Sequence, residues 1–423
     1  MTAIRVGLCS LIAFAVLAHG AVEPWSEAIL ESGAAALFIL WGILAIRRRH
    51  VEIRWDLLCV PLLALGGFVV AQLVLGLSAY SYATKIELLK WAAYLIAFFL
   101  TIESFHTLED WKHFVWFLVS LGFSVSLLAV IQHFTFNGKL YWFRVLSQGG
   151  IPFGPFVNHN HFAGFVELTD PLGLAMLFSA TVHRNKLLLL SLLTIIPIGA
   201  LVLSASRGGI MGFLFECALL GVLLRTPKRG SKQLLIAAGL ALAAGGLAVW
   251  LGAGWTAERF GNLTRGDISR DRRVSMFKDT WKIFLDHPWC GTGLGTFETV
   301  YPRYESYYDG RVVNHAHNDY LELLADTGLI GGLCMVAFIA ILFQSGLSNI
   351  RSAATVPSRS LNAGALAACA GLLLHSFVDF NMHIPSNALL FLLLAILATR
   401  RTSGARPDQA HSSFLVDEFG SIE

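Results

Sequence analysis

Charge is scarce in this sequence. Only 14% of its 423 residues are Asp, Glu, Lys or Arg, while 55% are hydrophobic; a soluble domain carries roughly 25% charged residues. So few charges cannot cover a soluble surface of this size, which leaves an integral membrane protein. Cysteine pairing is missing too. Cys9, Cys59, Cys217, Cys334 and Cys369 lie inside apolar stretches, only Cys290 lies in a polar segment, and no C-x-x-C pair occurs. That excludes a disulfide framework and a cysteine zinc site. There is no D-x-D and no acidic cluster suited to a divalent ion, so neither metal nor other cofactor is expected. Basic residues are scattered over short loops rather than gathered on one face, which excludes a nucleic-acid partner. No internal repeat and no low-complexity tract is present.

What the sequence does have is apolar runs. They fall at about 3–22, 28–46, 56–77, 85–103, 112–134, 159–181, 187–204, 208–226, 233–252, 319–346, 360–379 and 385–400, each near the ~20 residues a span requires. The first run also has signal-peptide features, with Arg5 ahead of it and small residues at Gly20–Ala21. A retained helix is preferred because loop charge then alternates. Arg47, Arg48, Arg49 and Arg54; Arg184 and Lys186; Arg225, Lys228, Arg229 and Lys232; Arg351 and Arg359; and Arg400, Arg401 and Arg406 all fall on one side. The loop with Lys112 against Glu103, Glu109 and Asp110 is the weak case. By the positive-inside rule that side is cytoplasmic and holds both termini. The expected fold is an all-α polytopic membrane protein of about twelve transmembrane helices. A large ordered loop on the opposite, non-cytoplasmic side, about 253–318, is expected between helices nine and ten. Residues 1–402 form the transmembrane domain and 403–423 a disordered cytoplasmic tail.

The opposite side collects the chemistry. Of the fourteen histidines, His19, His133, His159, His161, His287, His315, His317, His375 and His383 fall on or near it. Histidine in an apolar protein is costly unless it meets water, a partner or a substrate, although single interfacial histidines also snorkel to headgroups. In "HAHNDYLELLADTGLIGG" (315–332), Asp319 and Glu322 have the D-x-x-E spacing of a capping box, which predicts a helix starting near 319. His317 then sits ahead of a helix N-terminus, whose positive end disfavours an imidazolium and attracts anions. Gly328 and Gly332 form a G-x-x-x-G expected to pack, with Gly331, against a neighbouring helix.

In "SASRGG" (204–209), Arg207 opens a helix against its dipole. Ser206, the Gly208 and Gly209 amides and the Arg207 fork together suit an anion; a headgroup anchor is the alternative. In "SRDRRVSMFKDTWKIFLDHPWCGTGLGTF" (269–297), Arg270, Arg272 and Arg273 precede an amphipathic helix, as anion ligands or as a solvated face. Two further outer segments hold Asn158, Asn160 and His161, and Asp379 and His383. Either lines a pocket or orients His317, or simply caps helices.

Three of these segments, in order, resemble the O-antigen ligases. His317-Asn318, nine residues, then Gly328-Leu-Ile-Gly331 is similar to their H-[NSQ]-x9-G-x-x-[GTY] signature. "SASRGG" resembles their S-x-S-R-G turn. The stretch from Arg273 through His287-Pro288 to Gly291, Gly293 and Gly295 resembles their R…HP…G-x-G-x-G segment; Phe277 stands where many relatives have Trp. "FVNHNHFAGF" (156–165) and "HSFVDFNMHIP" (375–385) are also similar, so the resemblance covers roughly 155–395. It implies a bacterial inner-membrane enzyme with a periplasmic site. Such an enzyme moves a glycan from undecaprenyl pyrophosphate to an acceptor hydroxyl on lipid A–core, another lipid or a glycan, with inversion and without nucleotide or required metal. His317 would be the catalytic base, with His315 its rival. Arg207, Ser206 and Arg273, chosen for its spacing to His287, would bind the pyrophosphate. Asn318, His315, Asp379, His161 and Asn160 would line the pocket. The alternatives are a polymerase of the same superfamily, a protein-directed oligosaccharyltransferase, disfavoured by the short C-terminal region, and a transporter or lipid flippase using Glu167, Asp170 and Glu216.

Overall fold

The computed structural model describes residues 1–48, 53–146, 151–225, 268–308 and 310–400. The expected ninth run at 233–252, the loop up to residue 267 and the 403–423 tail lie outside the described residues. Within them the chain is helical, with no strand beyond two isolated bridges. The helices are α1 Thr2–Leu17, α2 Pro24–Arg48, α3 Cys59–Val74, α4 Ser81–Ser104, α5 Leu108–Phe134, α6 His159–Phe178, α7 Arg184–Ser204 and α8 Arg207–Leu223. After the gap come α9 Ile268–Asp286, the single turn α10 Phe297–Val300, α11 Asp319–Ser352, α12 Val356–His375 and α13 Pro385–Thr399. Each expected apolar run within the described residues corresponds to one of these. Among the described residues, four stretches are long and apolar enough to cross a membrane: Pro24–Arg47, Leu108–Phe134, Arg184–Ser204 and Asp319–Ser352. Thr2–Leu17, Cys59–Val74 and Pro385–Thr399 are shorter apolar helices.

Polar caps set the helix starts. Thr107 and Asp110 close a capping box on α5, and Asn158, Ser206 and Thr355 cap α6, α8 and α12 with their side chains. The centre is built on α12, buried over nearly its whole length and rich in Ala and Gly. A Cβ on Gly364 would lie 3.1 Å from the Leu172 Cα and the Pro171 carbonyl of α6. The two backbones therefore approach as small residues allow in apolar helix pairs. α13 is equally buried beside α12.

The two ends of this bundle differ in chemistry. At one end arginines cover helix carbonyls. Arg400 donates to Ile102 O at 2.6 Å and Arg359 donates to Leu223 O at 2.7 Å, while the Arg54 backbone amide donates to the Glu103 carboxylate at 2.7 Å. At the other end lie the α1–α2 turn, the starts of α6, α8 and α11, and the α12–α13 connection, residues 376–384. These pieces touch directly. His19 meets Pro155 O at 3.0 Å, and Asn387 donates to His161 O at 3.0 Å.

The described part of the 253–318 segment lies at this second end. The inner face of α9, with Met276 and Ile283, packs with Phe297, Val300, Tyr301, Val313, Ala316 and Ala325 into a small core of its own. The turn after α9 then lies on the backbone of α11. Leu329 N donates to Pro288 O at 2.8 Å, Thr292 N to Ala325 O at 3.0 Å and Gly293 N to Asp326 O at 2.9 Å.

That contact corrects the expected role of the α11 glycines. Gly328 is not a helix–helix packing residue. Its φ of 61° breaks the helix, and a Cβ there would lie 2.4 Å from the Trp289 carbonyl group. Cβ atoms on Gly331 and Gly332 would meet Thr327 and Leu324 of the same helix. Glycine is needed at 328 because another backbone occupies the space and because L side chains resist that conformation. The pattern G-x-x-x-G is silent about which neighbour comes close.

Candidate functional site

The site forms where the start of α11 meets the α12–α13 connection. Asn318 caps α11, accepting from the Tyr320 and Leu321 amides at 3.1 and 3.0 Å, and its Nδ2 donates to Phe377 O at 3.0 Å. The helix thus starts where expected, but the cap is Asn318 and not the Asp319–Glu322 box. Both acids are taken up by histidines instead. Glu322 accepts from His315 Nδ1 at 2.8 Å and from the Ala316 amide at 2.7 Å. Asp319 accepts from His383 Nδ1 at 2.8 Å, and His383 Nε2 lies 3.2 Å from Glu322.

His317 stands between these groups and α12. Its φ is 52°, a left-handed backbone that a bulky L residue adopts at a cost. Its Nδ1 donates to Asp379 Oδ1 at 3.3 Å. Asp379 is itself fixed: Asn160 of α6 donates to it from Nδ2, and the Phe380 amide donates at 2.9 Å. His161 Nε2 lies 3.9 Å from it. Arg273, at the start of the described face of α9, donates to Val378 O at 3.3 Å and comes within 4.0 Å of Asp379 Oδ2. Burial works against the Asp379 charge, but His317, His161 and Arg273 hold its carboxyl well below the usual range. An ionised, immobile carboxylate on Nδ1 leaves His317 Nε2 as the proton-accepting nitrogen.

The Ser206 turn joins the same segment from α8. Ser206 is buried, and its Oγ accepts from the Gly209 amide at 3.2 Å, so hydroxyl and amide serve the helix cap. They are not both directed outward, which corrects part of the expected anion cradle; the exposed group of the turn is Arg207. A Cβ on Gly208 would meet the His375 ring at 2.5 Å and Val378 at 3.1 Å. Residues 375–379 therefore touch the Ser206 turn, Arg273 and His317 alike. Of the expected site residues, Asn160, His161, His317 and Arg273 converge on the Asp379 carboxylate. Asn158 is a cap, accepting from the Asn160 amide at 2.9 Å.

His315 occupies a second node. Its ring stacks on Phe380 with centroids 4.4 Å apart, while His317 meets the same ring edge-on at 4.8 Å. His315, Glu322 and His383 offer donor atoms within 4.8 Å of one another, a composition able to hold a metal. Burial opposes a charge on His383, but the Glu322 carboxylate and then Asp319 push its pKa up to about 10. The protonated ring bridges the Asp319 and Glu322 carboxylates, and a metal at this cluster would have to displace its proton. Sequence reasoning missed this bridge, because the D-x-x-E spacing has an equally good local explanation. It also missed Phe380, for which no signal stands out, and the buried pair of His375 with Glu167 at 2.7 Å. A carboxylate within an apolar run was the available sign of the latter.

No curated protein matches the chain. Residues 192–336, which include Arg207, Arg273, His315 and His317, match the family model described as O-Antigen ligase, and the site extends past that stretch, to Asn160 and Asp379.

Proposed function

We propose that the protein is a glycosyltransferase that moves a glycan from a polyprenyl pyrophosphate, undecaprenyl pyrophosphate in bacteria, to an acceptor hydroxyl at the outer face of the inner membrane. The observation that carries this reading is the His317–Asp379 pair, with Arg273 at the same carboxylate, inside and beside the O-antigen ligase match. His317 Nε2 takes the proton of the acceptor hydroxyl as that oxygen attacks the anomeric carbon. The carbon–oxygen bond to pyrophosphate breaks on the opposite face, and inversion follows from one displacement. Asp379 keeps the imidazole in the tautomer that can accept. Arg207 and Arg273 bind the pyrophosphate and offset its charge as it leaves. The guanidinium fork suits phosphate oxygens, which it can bind in pairs.

The basic end faces the cytoplasm in this reading, with both termini there, and the site faces the periplasm. A lipid A–core acceptor makes the enzyme a ligase, while a growing lipid-linked glycan makes it a polymerase. The ligase reading is favoured by the spacing from His317-Asn318 to Gly328. Purified protein is given a pyrophosphate-linked glycan with core-lipid and glycan acceptors in parallel. Sugar on the core lipid is the expected result, a longer lipid-linked glycan selects polymerase, and no transfer to either acceptor rejects the function.

A further inference from the structure

α9 is apolar on two opposite sides. Met276, Asp279, Thr280 and Ile283 are 0–4% exposed and face the small core. Val274, Trp281 and Leu285 recur at intervals of seven and four residues, which places them on one stripe of a 3.6-residue helix, opposite the buried set. They are 43%, 44% and 57% exposed, and Trp289, just past the helix end, is 67% exposed. Two exposed tryptophans with a valine and a leucine form a surface that water does not favour.

The stripe has a neighbour of known character. Pro288 O and Trp289 O accept from the Leu329 and Ile330 amides of α11 at 2.8 and 3.4 Å. From there the outer face of α11 continues with exposed Leu333 and Val336, on a helix long and apolar enough to cross a membrane. The apolar strip of α9 is thus continuous with the side of α11 that hydrocarbon would cover. Lys278, four residues after Val274 and seven before Leu285, lies on the same side as the stripe, and Lys282 flanks it; both are exposed. Aromatic and aliphatic residues with lysines whose stems can snorkel among them are the features of a helix lying at a lipid–water boundary.

We propose that α9 is an interfacial anchor: its Val274–Trp281–Leu285–Trp289 stripe rests in the phospholipid surface at the site end of the bundle. The anchor also sets the height of Arg273, one residue before Val274, at the plane of the lipid headgroups. The inference stands apart from the transferase reading, since lipid contact is read without any transfer.

The test uses the full-length protein in liposomes of phosphatidylethanolamine and phosphatidylglycerol. A photo-crosslinking benzoylphenylalanine replaces Trp281 or Leu285, one at a time. Leu333 is the lipid-facing control position and Glu298, exposed on α10, the water-facing one. After irradiation, adducts are identified by mass spectrometry. Phospholipid adducts at 281, 285 and 333 and none at 298 are expected. The proposal is overturned if 333 captures lipid while 281 and 285 capture none, or capture only a second copy of the chain. Brominated phospholipids give the second measurement on near-native protein. They should quench wild-type tryptophan emission more than that of Trp281→Phe/Trp289→Phe, and equal fractional quenching would overturn the anchor as well.

Discussion

The two ends of the bundle use charge for opposite purposes. At the basic end, Arg359 and Arg400 bond directly to the carbonyls that end α8 and α4. Each cation completes a helix, as the negative end of the helix dipole favours. At the other end the charged groups bond mainly to each other and to loops. Asp379 gathers His317, His161, Asn160 and Arg273, while Glu322 and Asp319 share His383. Charge that completes helices should matter to stability. Charge that orients other charge should matter to chemistry.

The largest effect expected is at His317. His317→Ala should lower turnover by about 10²–10⁴-fold, the usual contribution of a general base, with donor binding nearly intact. His315→Ala is the companion measurement. If it abolishes turnover while His317→Ala does not, the two histidines exchange roles. Arg273→Lys should raise the donor KM by about tenfold to a hundredfold, because a point charge cannot replace a fork worth about 1.5–3 kcal/mol. Full activity in Arg273→Lys would remove its phosphate role.

Two predictions set stability against chemistry. Arg400→Gln should cost about 1.5–3 kcal/mol, the worth of a charged hydrogen bond, seen as a lower detergent melting temperature with unchanged kcat. A loss of kcat without a loss of stability would break the contrast between the ends. The smallest effect concerns pH. In the fold the Glu322 and Asp319 carboxylates push the His383 pKa up from 6.5 to about 10. The folded state then holds the extra proton, so this contribution is complete below about pH 6.5 and fades as pH rises towards 10. Melting temperatures between pH 7 and 10 should fall less steeply in His383→Gln than in wild type; parallel slopes would assign that charge to another group.

Much of this arrangement was legible in the sequence. Helices appear as apolar runs, and their starts as Asn, Ser and Thr, because caps and spans are local and each residue reports its own requirement. Asn160, His161, Arg273, His317 and Asp379 could be named because polar groups at the edge of apolar runs are conspicuous. Partnership was not legible. Asp379 lies 62 residues from His317, and its bond to that ring depends on how α12 and α11 pack. Glu322 looked like half of a cap because the spacing that reaches a helix start also reaches His315. Gly328 looked like a helix contact because a missing side chain does not say what takes its place.

The backbone at His317 has a consequence for how the protein can change. A left-handed φ of 52° is tolerated by glycine better than by any residue that carries a Cβ, histidine included. Random substitution at this position therefore includes replacements that relax the chain and raise its stability while removing the proton acceptor. Selection for expression or heat resistance alone would drift towards them. In the proposed mechanism only selection for turnover holds histidine there, so a sturdier but inactive protein lies one substitution away.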